Sequence, residues 1–598
     1  MNSTLTILAC PHLMDDNPEL YLEGEFLPLT IEAIHYLKKN NIKFITLDEF
    51  IDPVKFADFV DSEFIHIEDL FKDLDGEYYK LTRYPHAFSG NIYPFYTIFS
   101  YLKYAQKIVD FIRKKEFVKV ILVSPPFSDS EQKFLNLYKN IHPSRQYRDS
   151  FLVNLLIHGL NPEICISQRP DKSVSFKDSK WFSKLCTLQF EGYLNYVGRH
   201  LKKILFKHKK AISFTNILIV QTGYEIDELF VRSKRFSTIE ALSLSEKESI
   251  EDAVQTGFEK IVSTHKRAAQ RACGEYTNIF LHCLFQYYEN EVKFIPFYLE
   301  KIQYQIKTVK PSMGLYTAGA ITLKESIYAH SLMEMKIPIF YFQHSGTEVL
   351  IDNVPFRKFI NGNPNIKKTV IACTDADQTV LAKCRNTQSW TGGYQKGKDI
   401  IRYYKKKHLK KNGILYLTSW YHSNQVLVVK NDDSDYLSYQ KHCALFELVN
   451  KYKIPMDIKL FPSEDHAHLD YFHDLIKYTA SDNIRLVGNP RAEYLIPKYS
   501  LIIIESVCST LSSYLFAVDS PVIYYLCQDH YISGQSYDDF VSGHYMAKDK
   551  KEMKTLLSDF CQGHLPPKKS NRLIDTYLNP ERITSPASYI RTKLETAD

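Results

Sequence analysis

Along most of the chain, short apolar runs alternate with stretches whose apolar residues recur at helical spacing. Strand, helix, strand with crossovers of this length marks parallel α/β sheets, because parallel neighbours need a long connection that covers the sheet face. Leu5 to Cys10 reads as a strand, Ile31 to Lys39 as a helix, and Ile42 to Leu47 and Phe117 to Val123 as strands. From about 150 to 210 the pattern is mostly helical. A second series begins with a strand at Asn216 to Val220 and a long helical region over about 246–308. It continues with Gly314 to Ala320 (strand), Leu323 to Met335 (helix), Ile337 to Phe342 and Thr369 to Cys373 (strands), and a helix around Gln378 to Cys384.

Residues 386–411 turn polar and then basic, with Gly392 beside Gly393 and a run from Tyr403 to Lys411 that carries five lysines. Such a stretch reads as a linker. Beyond it the alternation restarts. Gly413 to Thr418, Asp457 to Phe461, Ile484 to Val487, Leu501 to Ile504 and Pro521 to Leu526 read as strands. Helices are expected at Ser438 to Tyr452, at Leu469 to Tyr478, around Leu511, Leu515 and Phe516, and past about 546. The expected organisation is an N-terminal Rossmann-like domain over 1–395, with helical insertions around 150–210 and 246–308, a linker over 396–411, and a C-terminal Rossmann-like domain over 412–598.

Composition narrows the function classes. With 44% hydrophobic and 24% charged residues over 598 positions, the chain belongs with folded proteins rather than disordered or disulfide-built ones. A net charge of +6 is too small a bias to make a nucleic-acid binder. Eleven cysteines, none in a C-x-x-C pair, argue against structural zinc and for buried thiols in a reducing compartment. No apolar window is long enough to span a bilayer, and no basic segment with an apolar core opens the chain, so the expected location is the cytoplasm. Between Arg199 and Lys210, Leu201, Ile204 and Leu205 share one helical face among lysines. That face reads first as a solvated helix packed on its own domain, with peripheral contact to the cytoplasmic side of the inner membrane as the alternative.

Two consecutive open α/β units would place a ligand between the carboxyl ends of their strands. There the second unit offers Lys459-Leu-Phe-Pro462, followed by His466, Val487-Gly488-Asn489, and Glu505-Ser506-Val-Cys-Ser509-Thr510. A Ser-Thr pair where a strand gives way to a helix can cap the free N–H groups, or join them in holding a phosphate. The first unit offers Gln343-His344-Ser-Gly-Thr-Glu348 after one strand, and Thr317-Ala-Gly319 followed by Glu325 after another. A histidine or carboxylate at such a tip can take a proton from an acceptor hydroxyl. His466 and His468 with Asp465 and His473 could in principle ligate a metal, but their run from strand end into helix favours loop or phosphate contacts, and no metal is expected.

The order of Lys-Leu-x-Pro with a nearby His, Val-Gly-Asn, Ser-x-x-Ser-Thr and then Ser520-Pro-Val-Ile-Tyr resembles the donor lobe of GT-B glycosyltransferases. It is most similar to the bacterial Kdo and sialic-acid transferases that use CMP-activated sugars. Gln343-His344-Ser-Gly-Thr resembles the His-Gly-Thr loop of polyol-phosphate transferases, interrupted by Ser345. Phe461 stands before the proline, where those families carry histidine. The resemblance implies a GT-B fold of two Rossmann-like domains facing a central cleft, without a cofactor or catalytic metal. It implies donor binding by Lys459 and Pro462 of the first motif and by Ser509 and Thr510 of the second; His466, Gly488, Glu505 and Ser506, at the same strand ends, are further donor-side candidates by position, and His344, Glu325 and Glu348 are the candidates on the catalytic, acceptor side. The expected activity is transfer of an acidic Kdo- or sialic-acid-like sugar from a CMP donor to a glycan or glycolipid precursor of a bacterial surface polysaccharide. The alternatives are a nucleotide-sugar 2-epimerase-like enzyme and a non-catalytic scaffold on the same fold.

Overall fold

The computed structural model describes residues 4–9, 11, 14, 24–123, 145–160, 165–168, 216–220, 237–240, 266–317, 322–343, 366–382, 386–392, 403–404, 411–418, 433–460, 467–488, 491–507, 510–527, 532, 534–568 and 571–577. Among these, every paired strand runs parallel to its neighbours, in three sheets.

The first sheet has the order β2-β1-β3-β4, built from β1 (Thr4–Leu8), β2 (Glu25–Pro28), β3 (Lys119–Val123) and β4 (Cys165–Gln168). Its helices are α1 (Ile31–Lys39), α2 (Pro53–Thr82), α3 (Ile92–Lys115) and α4 (Arg145–Gly159). The second sheet is β10-β9-β8-β7-β5-β6, from β5 (Asn216–Ile219), β6 (Ser237–Glu240), β7 (Met313–Thr317), β8 (Ile339–Phe342), β9 (Lys368–Ala372) and β10 (Thr387–Thr391). Around it lie α5 (Thr277–Asn290), α6 (Ile295–Val309), α7 (Leu323–Glu334) and α8 (Asp375–Leu381).

These two sheets form one lobe. Leu5 and Ile7 of β1, Tyr316 of β7, Tyr341 of β8 and the inner faces of α2, α3 and α5 belong to a single buried cluster. Polar ties cross the seam: the Tyr78 hydroxyl donates to Val292 O (2.6 Å), Tyr287 to Ala87 O (3.0 Å) and Ser326 to Gly90 O (3.0 Å).

The second lobe holds the third sheet, β13-β12-β11-β14-β15-β16: β11 (Ile414–Leu417), β12 (Met456–Lys459), β13 (Ile484–Leu486), β14 (Leu501–Ile504), β15 (Val522–Tyr525) and β16 (Tyr545–Ala547). The chain starts at the centre, builds to one edge, then returns to build the other, which is the doubly wound Rossmann order. Its helices are α9 (Asp435–Tyr452), α10 (Ala467–Tyr478), α11 (Ala492–Leu495), α12 (Thr510–Leu515), α13 (Gly534–Gly543), α14 (Lys550–Cys561) and α15 (Asn571–Tyr577).

Both faces of this sheet are covered, which is why its central strands are apolar at consecutive positions. Leu501 and Ile503 join the cluster under α9, α10 and α14, whereas Ile502 and Ile504 join the one under α11 to α13. Ile414 and Tyr416 alternate with Leu415 and Leu417 in the same way. Gly413 opens β11 at φ +64, where an added Cβ would sit 2.5 Å from Pro455 O, so only glycine lets β11 start this close to β12.

The α/β architecture expected from the alternation is present. The N-terminal lobe holds two parallel sheets where one Rossmann-like unit was expected. Ile42 to Leu47, expected as a strand, forms none: it keeps a single ladder-like bond, Ile45 N to Phe26 O (2.8 Å), and ends in a 3-10 turn over Leu47–Glu49. The strand there is Glu25–Pro28. Within the helical expectation for 150–210, residues Cys165–Gln168 instead add an edge strand to β3. Residues 169–215, including the basic amphipathic face, lie outside the described residues. The polar stretch from 386 opens with β10, so the second sheet ends inside it. Tyr403 and Tyr404 belong with the third sheet's cluster, Tyr403 ring-on-edge with Tyr494 at 5.4 Å.

Candidate functional site

In a doubly wound sheet the strands on either side of the reversal point leave a crevice at their carboxyl ends. Here that point lies between β11 and β14, which pair from Ile414↔Leu501 to Leu417↔Ile504. Glu505 and Ser506 follow β14 directly, and both are buried. The Glu505 amide donates to Leu417 O (3.4 Å), so the strand tip continues the ladder for one more residue. Ser512 Oγ on α12 donates back to Val507 O (3.1 Å), closing the turn after β14.

Around the Glu505 carboxylate sits a buried charged cluster. Lys441 Nζ lies 3.4 Å from Glu505 Oε2 and 2.6 Å from Asp433 Oδ2. His442 Nε2 approaches the two Glu505 oxygens at 3.4 and 3.5 Å, and its Nδ1 lies 2.8 Å from the Tyr471 hydroxyl. Burial works against the Lys441 charge, but Asp433 and then Glu505 outweigh it and hold the ammonium well above its ordinary range. Two carboxylates and one ammonium thus share a buried site, with Asp433 Oδ1 unbonded among the described residues.

Lys459 ends β12, on the other side of β11. It is 6% exposed and donates to Gly488 O, just past β13. Burial pulls its amine down to about 8, with Glu493 opposing. An amine so placed gains charge when an anion arrives, because the anion repays the desolvation cost. Gly488 itself is exposed and positions its carbonyl rather than a side chain.

The remaining expected donor residues are only partly visible. Pro462, His466 and Ser509 lie outside the described residues, and so do His344 and Glu348 on the acceptor side. Thr510 opens α12, as the helix-start reading requires; its side chain is not described. Glu325 is described, and it caps a helix. Its Oε2 accepts from Thr322 N (3.0 Å) while Thr322 Oγ1 accepts from Glu325 N (3.3 Å), a reciprocal capping box at the start of α7. Asp377 likewise caps α8 through Thr374, with Oγ1 donating to Oδ2 at 2.7 Å. Glu325, the one acid offered by the sequence on the N-terminal lobe that is described, is thus engaged in a helix start.

The two lobes meet at strand ends. Cys373, just past β9, and Ala376 on α8 belong to one apolar cluster with Tyr404, Val507 past β14, and Leu573 and Tyr577 of α15. Gln343, just past β8, ties the neighbouring ends together: its Oε1 accepts from Cys373 N (2.8 Å). The carboxyl ends of the second and third sheets therefore lie towards each other.

The chain matches no family model and no curated protein sequence. Among solved structures it is similar to the Methanocaldococcus jannaschii UDP-GlcNAc 2-epimerase in complex with UDP-GlcNAc and UDP, at 11% identity and TM-score 0.37, over 65% of this chain and 100% of that one. The Rickettsia bellii UDP-N-acetylglucosamine 2-epimerase aligns at 12% identity and TM-score 0.39, over 64% and 96%. The glycosyltransferase SnogD of Streptomyces nogalater aligns at 11% and 0.28, over 60% and 97%. At these values the likeness carries neither reaction nor substrate to this chain.

Sequence reading missed Lys441, His442, Asp433 and Tyr471. All but Asp433 lie on helices, where a Lys-His pair inside an amphipathic pattern reads as surface. Only the topology shows that α9 lays them under the β14 tip. Asp433 precedes α9 without any motif to mark it.

Proposed function

We propose that this protein is a nucleotide-sugar-dependent glycosyltransferase of GT-B type, with the donor in the β11/β14 crevice of the C-terminal lobe. One observation carries the reading. Buried Lys459 and the buried Glu505-Ser506 pair stand at strand ends on either side of the reversal point, opposite the strand ends of a second parallel sheet. Lys459 would offset phosphate charge, and Glu505 would accept hydrogen bonds from hydroxyls of the nucleotide or sugar. Thr510 and Ser509 would add the helix-start donors to the phosphate. His344 and Glu348, on the segment after β8, are the proposed acceptor-side groups, on their sequence pattern alone. The finer reading, a CMP-linked acidic sugar passed to a bacterial surface glycan, is supported by the motif resemblance.

The test is thermal unfolding of the intact chain with CMP-, UDP- and GDP-sugars. A ligand at about 100 times its dissociation constant stabilises by about 2.7 kcal/mol, and stabilisation by CMP-sugars above the others supports the finer reading. No shift with any of the three removes the proposal. Turnover of UDP-GlcNAc without an acceptor would replace transfer by epimerisation. Lys459→Met, which keeps the volume and removes the charge, should weaken nucleotide binding about tenfold or more, the value of a charge-assisted hydrogen bond to phosphate. Its melting temperature should change little, since the substitution also removes a desolvation cost; isothermal titration and calorimetry check the two halves.

A further inference from the structure

The Glu505 carboxylate is reached from outside its own lobe, along a chain of side chains that begins on α1. His35 on α1 is 3% exposed, and its Nε2 lies 3.0 Å from Asp474 Oδ2 on α10. Its ring meets the edge of Tyr471 at 5.7 Å between centroids. The Tyr471 hydroxyl lies 2.8 Å from His442 Nδ1, and the other imidazole nitrogen faces Glu505. A second thread comes from the same lobe: Ser434 Oγ donates to Asp48 Oδ2 (2.5 Å), and Ser434 adjoins Asp433, the partner of Lys441.

We infer that His442 is a positioning residue for Glu505, and that docking of the first sheet on the third, through His35 and Asp48, helps hold His442 and Lys441 in place. What the positioned carboxylate binds rests on the nucleotide-sugar reading; the positioning itself does not. The hydrogen-bond polarity is self-consistent. Glu505 can only accept while ionised, so His442 donates from Nε2 and its Nδ1 is left to accept from Tyr471. A neutral imidazole does both. Packing alone would be served by an apolar residue at this fully buried position, among Tyr416, Tyr471 and Phe472. A histidine there must be bonded on both nitrogens to offset its burial, and those bonds fix the Glu505 oxygens against a donor other than Lys441.

Two readouts on the intact chain test this. Tyr471→Phe keeps the ring that His35 touches and removes only the hydroxyl. Asp474→Asn alters a partly exposed group whose ion-pair partners, His35 and Lys39, lie on α1. In both variants amide hydrogen exchange at 505–507 should rise, although neither residue touches that turn. For binding, the probes are CMP, UDP and GDP. His442→Leu should lose about tenfold in affinity, one hydrogen bond to a charged group, Tyr471→Phe, which removes a neutral bond one step further away, should lose less, and His442→Gln should restore most of the loss. Exchange changes confined to 31–39 and 467–478 would overturn the inference, as would His442→Leu binding as tightly as His442→Gln. If none of the three nucleotides binds the unaltered chain, the nucleotide-sugar reading falls on its own, and the exchange comparison still decides whether docking reaches Glu505.

Discussion

Lys441 neutralises two buried carboxylates, and so the cost of removing it is larger than its own contacts suggest. Breaking a buried pair by deleting one partner leaves uncompensated charge and typically costs about 3–5 kcal/mol. Lys441→Met should therefore lower stability by about that much in urea unfolding, whereas a lysine on the surface of α9 would matter far less. His544 acts in the opposite sense. It is fully buried among Phe516, Tyr524 and Phe540, and burial pushes its imidazole down to about 4, against the bond it makes to Phe540 O. The folded chain keeps this ring neutral, while the unfolded chain protonates it near 6.5. Stability is thus complete above about 6.5 and drains as pH falls towards 4, by about 3 kcal/mol over the window. His86, also lowered to about 4, adds a loss of the same sign. Unfolding free energies across that range should be flatter for His544→Phe than for the unaltered chain. At this scale the sequence exposed the strand-end residues, Lys459 and Glu505 among them, because apolar runs point to them. Their partners on α9 and α10 were hidden, because no spacing rule links residues brought together by a crossover.

Helix starts are set by local chemistry, and one of them decides between two roles for an acid. The Thr322 and Glu325 capping box satisfies two otherwise free N–H groups of α7. Thr322→Ala should cost about 1 kcal/mol. Glu325→Gln should cost less, and it should leave sugar transfer intact if the carboxylate serves the cap alone; an assay beside an unfolding curve separates the roles. Strands that lie inside a sheet were legible from sequence, and edge strands, Ile484–Leu486 excepted, were not. Leu501–Ile504 and Ile339–Phe342 are buried at every position and read as unbroken apolar runs. Ser237–Glu240 and Thr387–Thr391 are polar edge strands that only a neighbour's backbone makes regular. Helix α1 was read to the residue, since Thr30 caps it, through Ala33 N to Oγ1 at 3.2 Å, and apolar positions run its length. Its second apolar face could not be assigned to a partner more than four hundred residues away.

That second face ties the molecule together. Ala33 and Leu37 of α1 pack on the first sheet with Leu8, Phe26 and Ile121, whereas Ile31 and Ile34 enter the third sheet's cluster with Tyr439, Tyr471 and Leu475. Outside, Lys39 reaches both oxygens of Asp474 at 2.8 Å. Because one apolar core spans the first two sheets and α1 joins them to the third, the chain should melt in a single calorimetric transition. Ile34→Ala should lower its midpoint by removing about 2–4 kcal/mol of buried contact; two separate endotherms would show the lobes to be independent. The contact also limits what the lobes can do to each other. They are fastened by the covalent connection before β11, by α15 against α8, and again by α1 wedged between α9 and α10. Closure about the chain connection would have to break the packing of α1 and α15, so the gap between the halves should hold its width, and scattering profiles recorded with and without a bound nucleotide should superimpose.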